Sequence, residues 1–249
     1  MAAFSDHFGP GAAAYAAARP GYPPALFDLL ARRAPGRALA VDCGAGSGQA
    51  SLGLAGRFAR VVAVEPSAGQ IARARRHPAL RWVRAAAEAL PLADGVADLL
   101  AAAQAAHWFE PRRFHAEVRR VLRPGGLVAL WCYGRPTVSP EVDRVLGRYY
   151  HEVVGPFWPP ERRHVETAYR ELPFPYRPLA APALAMEARW DCARMRTYLA
   201  SWSASARYRA HHGSDPLREV GEALAEAWGG GLRTVRWPLN LRLGRVAAC

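Results

Sequence analysis

From residue 38 onward, short apolar runs alternate with amphipathic stretches, the pattern of strands buried on both faces and separated by covering helices. Ala38-Leu39-Ala40-Val41 reads as a buried strand that ends at Asp42. The same reasoning places strands at 38–42, 60–64, 80–84, 96–101 and 126–131 and helices near 48–57, 68–76 and 111–121. Such alternation implies a parallel sheet covered on both sides, with ligands at the carboxyl ends of its strands.

The flanking segments have a different character. Before the alternation, helical segments are broken at Arg19-Pro20-Gly21-Tyr22-Pro23-Pro24, and Pro24 suits the first turn of a helix from Ala25 to Arg33. After Trp131-Cys132-Tyr133-Gly134, helical periodicity runs from Pro140 to Val154 and from Glu161 to Glu171, interrupted by Gly155-Pro156-Phe157-Trp158-Pro159-Pro160 and Pro173-Phe174-Pro175-Tyr176. Leu184 to Trp190 and Leu232 to Leu243 read as late strands, with helices at Ala193 to Ser201 and Pro216 to Trp228 between them. Three regions follow: an N-terminal helical segment (1–34), a ligand-binding core (35–135), and cap helices with the last two strands (136–249).

The first strand runs into Val41-Asp42-Cys43-Gly44-Ala45-Gly46-Ser47-Gly48-Gln49, a turn with glycine at every second position. Glycine there lets the chain turn sharply from strand to helix, lets a ligand approach the backbone, and is expected to aim helix N-terminal amides into the cleft. A dinucleotide fingerprint reads G-x-G-x-x-G and seats a pyrophosphate. This chain reads D-x-G-x-G-x-G, and an acid beside the loop repels a pyrophosphate but suits an ammonium or a ribose hydroxyl. Glu65, at the end of the next strand, lies 65 − 42 = 23 residues beyond Asp42, close to the ~20 expected for an acid that holds a ribose from the neighbouring strand tip.

Composition narrows the class of protein. The 249 residues suit one α/β domain with added material, and 51% hydrophobic with 22% charged residues is globular. No apolar stretch reaches the ~20 residues of a membrane span and the start lacks a signal-peptide pattern, so a cytoplasmic protein without membrane attachment is expected. The net charge of +12 comes entirely from arginine, lysine being absent; the arginines are scattered, which disfavours a nucleic-acid partner. Cys43, Cys132, Cys192 and Cys249 form no C-x-x-C pair, and no His cluster has zinc-ligand spacing, so neither a metal site nor a disulfide framework is expected.

Over residues 35 to 135 the chain resembles a class I S-adenosylmethionine-dependent methyltransferase. Asp42, Gly44, Gly46 and Gly48 fall on that family's first motif and Glu65-Pro66-Ser67 on its ribose-holding acid. Ala86-Ala87-Glu88 resembles the segment edging the adenine, Val96 to Gln104 the fourth strand and its tip, and Val118 to Leu130 the following helix, turn and fifth strand. The resemblance implies an α/β, doubly wound, mostly parallel seven-stranded Rossmann-like sheet whose last two strands are an antiparallel edge pair beside a helical cap. Phe8-Gly9, Tyr15, Arg19 to Pro23, Ala106 to Phe109 and Leu199 to Ser203 narrow it to a small-molecule branch that includes trans-aconitate-methyltransferase-like enzymes.

The cofactor this implies is S-adenosylmethionine, leaving as S-adenosylhomocysteine, held by Tyr15, Arg19, Asp42, Gly44, Ala45, Gly46, Gly48, Gln49, Glu65, Pro66, Ser67, Ala86, Ala87, Glu88, Gln104, Ala105, His107 and Trp108. His107 follows the tip of the fourth strand; it is the candidate base for a hydroxyl or amine, an orienter for a carboxylate, or a support for the cofactor pocket. Tyr22, Tyr133, Phe157, Trp158, Arg162, Tyr198 and Trp202 are candidate substrate contacts. The expected activity is methyl transfer to a small organic acceptor, O-transfer first, in a monomer or homodimer. Its rivals are a nucleic-acid or protein methyltransferase, a nicotinamide enzyme, and a non-catalytic cofactor-binding module.

Overall fold

The computed structural model describes residues 20–247. In chain order the core elements are α1 (Pro24–Arg33), β1 (Leu39–Cys43), α2 (Gln49–Ala55), β2 (Arg60–Val64), α3 (Ala68–Ala72), β3 (Leu80–Val83), β4 (Ala97–Ala103), α4 (Pro111–Val121) and β5 (Leu122–Tyr133). The remainder comprises α5 (Pro140–Arg148), α6 (Arg162–Glu166), β6 (Arg177–Leu179), β7 (Leu184–Trp190), α7 (Cys192–Ala200), α8 (Ser203–His212), α9 (Gly221–Trp228) and β8 (Arg233–Arg245). Strands β1 to β5 are parallel, in the order β3-β2-β1-β4-β5, and β8 adds antiparallel to β5. Both β6 and β7 pair antiparallel with β8.

The sheet therefore holds eight strands among the described residues, one more than the seven expected. The extra strand is β6, three residues long with Pro178 at its centre, a residue that donates no ladder bond and is confined to edges. The edge pair is present as expected, β7 against β8 in the register Leu184 to Leu239 through Trp190 to Arg233.

Alternation along each strand sends side chains to two separate cores. From β5, Leu127, Ala129, Trp131 and Tyr133 join the core shared with α1, α2 and the cap, whereas Val128, Leu130 and Cys132 join the one covered by α4. Helix α4 begins at Glu110, whose carboxylate accepts the N–H groups of Arg112 and Arg113, with Pro111 in its first turn. Asp98, buried at the opposite end of β4 from the strand tips, accepts the Ala38 and Leu39 amides and pairs with Arg123 at 2.9 Å, so it latches the sheet away from the site.

The cap differs in detail from expectation. The long 140–154 helix continues past Arg148 as a π-helical turn, Tyr149–Val153. The 161–171 helix stops at Glu166, because Ala168 and Tyr169 take left-handed backbone with φ of 56° and 60°. The 216–228 helix divides into a 3-10 turn, Pro216–Glu219, and α9. No described helix is long and apolar enough to cross a membrane.

Candidate active site at the tips of the parallel strands

The glycine loop leaves β1 and enters α2. Gly44 and Ala45 donate their amides to the Val64 carbonyl of β2, Gly46 donates to the Glu65 carboxylate at 2.8 Å, and Gly48 donates to the Ala45 carbonyl. These four loop amides each have an internal partner, whereas the amides expected to aim into the cleft are those of the helix N-terminus, from Gln49 onward. Amides committed in this way are not offered to a pyrophosphate.

The three glycines serve different ends. A Cβ on Gly44 would lie 2.6 Å from the Ala105 Cβ, and one on Gly48 would lie 2.7 Å from the Trp82 ring; both glycines let the loop pack on neighbouring strand ends. Gly46, at φ of +57°, meets nothing within 4 Å, so open space lies over the middle of the loop.

Glu65 sits against this space, 6% exposed, its two oxygens held by the Gly46 and Ser67 amides at 2.8 and 2.9 Å. Ser67 also caps α3 by accepting the Gln70 amide. Asp42 lies deeper: it is fully buried, its Oδ2 accepts the Ser51 hydroxyl at 2.5 Å, and its Oδ1 has no hydrogen-bond partner among the described residues. Burial, with a smaller contribution from the Glu65 charge, pushes the Asp42 carboxyl up to about 7 despite the Ser51 bond. Asp42 therefore shapes the loop from beneath instead of lying on the cleft surface.

Other expected cofactor residues are placed as follows. Gln49 donates its side-chain amide to the Pro20 carbonyl, tying the preceding segment to the loop. Half-buried Pro66 accepts from Arg84, Ala86 is exposed, Ala87 is packed in the core under α4, and Glu88 accepts the Glu110 amide at 2.8 Å. Tyr15 and Arg19 lie outside the described residues.

The fourth strand's tip joins this loop to a second hollow. Ala105 is the residue that Gly44 packs against, and its neighbours Gln104, His107 and Trp108 line a pocket completed by Tyr133, Gly134, Trp158, Pro159, Arg162, Tyr198, Trp202 and Ser203. The enclosed cavity measures about 50 Å³, well below the ~300–1,000 Å³ usual for drug-sized ligands, so a small acceptor is all it takes as it stands. Gln104, at φ of 56°, uses its side-chain amide to bond both the Tyr133 carbonyl and the Tyr133 amide, at 3.0 and 2.9 Å, so the tips of β4 and β5 are pinned together.

Five of the seven expected substrate contacts, Tyr133, Trp158, Arg162, Tyr198 and Trp202, line this pocket. Phe157 does not: its ring packs against Tyr208 and His212, 5.2 and 5.5 Å away. Tyr22 lies behind the wall, edge-on to Trp131 and Tyr133. Arg162 stacks 4.7 Å over Trp158 and donates its Nε–H to the Tyr150 hydroxyl at 2.8 Å, while that hydroxyl donates to Glu166. This arrangement holds the guanidinium plane and leaves its terminal amino groups without a hydrogen bond to the described residues.

His107 Nδ1 lies 2.8 Å from the hydroxyl of Tyr169, a residue the sequence reading did not single out. Enclosure in the pocket, reinforced by the positive charge of Arg162 and the neighbouring His164, pushes the imidazole down to about 3. The ring is therefore neutral near pH 7, the form in which one imidazole nitrogen donates and the other accepts. Cys132 lies on the buried side of β5, where desolvation pushes its thiol up to about 12, so it is a packed thiol and not a nucleophile.

Residues 41–130 match a family profile described as a methyltransferase domain. A protein of Anaeromyxobacter dehalogenans, whose solved structure bears the name of a type II methyltransferase, is 49% identical; the superposition covers 93% of this chain and 99% of that one with a TM-score of 0.87. A Dictyostelium discoideum protein named as a methyltransferase is 33% identical over 229 residues, which take in 90% of this chain and 87% of that protein. An uncharacterized methyltransferase of Mycobacterium tuberculosis strain H37Rv is 41% identical over 124 residues, about half of each chain (49% and 50%). With the loop, the strand-tip acid and the sheet order in place, the chain belongs to the class I S-adenosylmethionine-dependent methyltransferases.

Proposed function

We propose that this methyltransferase acts on a small anionic acceptor and that the nucleophile is a carboxylate oxygen. The observation that carries this reading is the pocket beside the β4 tip, in which Arg162 is the sole residue of fixed charge among aromatic walls and no acidic residue is present among the lining residues. A stacked guanidinium lining a cavity matches the planar, two-oxygen geometry of a carboxylate.

S-adenosylmethionine, when bound, supplies a methyl group already activated on a sulfonium. The residues here fit it: open space over Gly46, a carboxylate fixed by two amides at the next strand tip, and a packed junction from Gly44 through Ala105 into the acceptor pocket. Glu65 would hold the ribose hydroxyls, the Gly46 region would lie beneath the methionine portion, and Ala86 to Glu88 would edge the adenine. By resemblance alone, Tyr15 and Arg19 would reach the methionine carboxylate.

The protein's own task is alignment and exclusion of water. Arg162 would grip the acceptor's carboxylate and Tyr133, Trp158, Tyr198 and Trp202 would shield it from water, leaving a carboxylate oxygen free to receive the methyl group that S-adenosylmethionine would supply. A carboxylate loses no proton in this step, so a histidine as weakly basic as His107 suffices as an orienter. The test has two parts: calorimetric titration with S-adenosylhomocysteine, then a turnover screen of small carboxylic acids against phenols, amines, RNA and DNA. Binding followed by turnover on carboxylic acids is the expected result; turnover confined to a nucleic acid, or to phenols with a rate that follows the acceptor's ionisation, would overturn it.

A further inference from the structure

Below His107 the chain adopts a conformation that the sequence alone does not suggest. Helix α6 ends at Glu166, and Ala168 and Tyr169 follow in left-handed backbone, which residues with a Cβ adopt when their surroundings enforce it. Two partners hold the turn: the Tyr169 amide donates to the His164 carbonyl at 2.7 Å, and the Arg242 guanidinium of β8 donates to the Tyr169 and Leu172 carbonyls. The result is a fully buried Tyr169 ring packed in the core beneath the sheet, its hydroxyl 2.8 Å from Nδ1 of His107.

The direction of that bond follows from the atoms around it. The Tyr169 hydroxyl has Nδ1 of His107 as its one hydrogen-bond partner among the described residues, the backbone amides of His107 and Ala106 lying near it without bonding it. Burial keeps the phenol protonated, so its single proton is directed to that partner, Nδ1. A neutral imidazole that accepts at Nδ1 carries its own proton on Nε2. His107 lines the acceptor pocket, and its Nε2 makes no hydrogen bond to the described residues.

We propose that Tyr169 is a positioning residue that donates to Nδ1 of His107, fixes the imidazole as its Nε2–H tautomer, and so presents a hydrogen-bond donor to an acceptor oxygen held by Arg162. The strained turn and Arg242 aim the phenol; the phenol sets the tautomer; the tautomer makes His107 a donor and not a base. The donor's use rests on the anionic-acceptor reading above, whereas the tautomer does not. Among the described residues, Arg162 and His164 on the α6 segment, Cys132 on β5 and Arg242 on β8 are the other titratable groups around the pair.

The experiment is nitrogen-15 histidine NMR on the full chain, with His107→Gln identifying the signal among eight histidines. The expected spectrum has protonated Nε2, bare Nδ1, and a slowly exchanging Tyr169 hydroxyl proton coupled to Nδ1. Tyr169→Phe is expected to give a mixture of tautomers while S-adenosylhomocysteine affinity is retained, an effect a purely packing role would not produce. A protonated Nδ1 in the wild-type chain overturns the proposal, as does a tautomer unchanged in Tyr169→Phe; should that variant not fold, the wild-type hydroxyl coupling decides by its presence or absence. Titration with benzoate then tests the reading beneath it: a fixed tautomer whose Nε2 signal ignores benzoate sinks the anionic acceptor and leaves the Tyr169 lock standing.

Discussion

The Ser51 hydroxyl donates to the Asp42 carboxylate across 2.5 Å beneath the glycine loop, joining the first turn of α2 to the end of β1. Ser51→Ala removes the one side-chain hydrogen bond that the fully buried Asp42 carboxylate accepts from the described residues, and a loss of ~1–3 kcal/mol is expected. Urea denaturation near neutral pH measures it. A variant as stable as the parent would mean that Asp42 is satisfied from elsewhere.

Asp42 also makes stability depend on pH, with a definite sign. Its folded carboxyl, at about 7, lies above the ordinary 3.8, so between these values the folded state holds a proton that the unfolded state has lost. The stabilising contribution is full below 3.8 and disappears as the pH rises through about 7. Asp42→Asn should remove that slope, so that wild type loses ground relative to the variant across this window. A difference curve flat in pH would show Asp42 ionised in the native protein.

His107 acts in the opposite sense. Its folded imidazole, at about 3 instead of 6.5, contributes stability that is present above 6.5 and lost as the pH falls toward 3. His107→Gln should flatten that loss in acid. Turnover on a carboxylic acid should show no limb assignable to this histidine between about pH 6 and 8, whereas a base near its ordinary value would give one; the rate profile distinguishes them.

Gly46 and Gly48 should respond differently to alanine. Gly48→Ala drives a methyl into Trp82 from left-handed backbone, and the loop should rearrange at a cost above the ~1–2 kcal/mol of that conformation alone. Gly46→Ala has room, so it should cost no more than about that amount while its methyl enters the space proposed for the cofactor. Thermal melts with S-adenosylhomocysteine calorimetry separate them: Gly46→Ala should stay folded with affinity lowered roughly tenfold or more, about 1.4 kcal/mol. Unchanged affinity in a folded Gly46→Ala would place the cofactor elsewhere.

Arg162→Leu should raise KM for an anionic acceptor roughly tenfold or more with a smaller change in kcat, because the grip acts on the bound acceptor. Arg162→Lys should recover only part of the loss, since an ammonium cannot stack on Trp158 and present two parallel donors. Equal kcat and KM in all three proteins would remove Arg162 from the site.

The parallel strands were legible because burial on both faces makes them continuous apolar runs, and β1 is buried at every position. Helix α8 was not, since Ser203-Ala204-Ser205-Ala206-Arg207-Tyr208-Arg209 carries no apolar stripe; Pro178 concealed β6 in the same way. The loop's spacing announced the site, but not that Gly44 serves Ala105 and Gly48 serves Trp82, because those neighbours are distant in sequence. Helical periodicity over 161–171 hid Tyr169, whose importance comes from a left-handed turn that only the folded surroundings enforce. Phe157 and Tyr22 show the complementary error: aromatic composition marks a neighbourhood and not the direction in which a ring faces.

The cap departs from Tyr133 at the end of β5 and returns along β8, which lies hydrogen-bonded beside β5. An excursion whose two ends are anchored on adjacent strands can be exchanged for another of different length or lining with strands β1 to β4 left unaltered. Within such an architecture, relatives can diverge in what they alkylate through one contiguous insertion, and grafting residues 134–232 from one relative onto another is the natural unit for re-engineering selectivity.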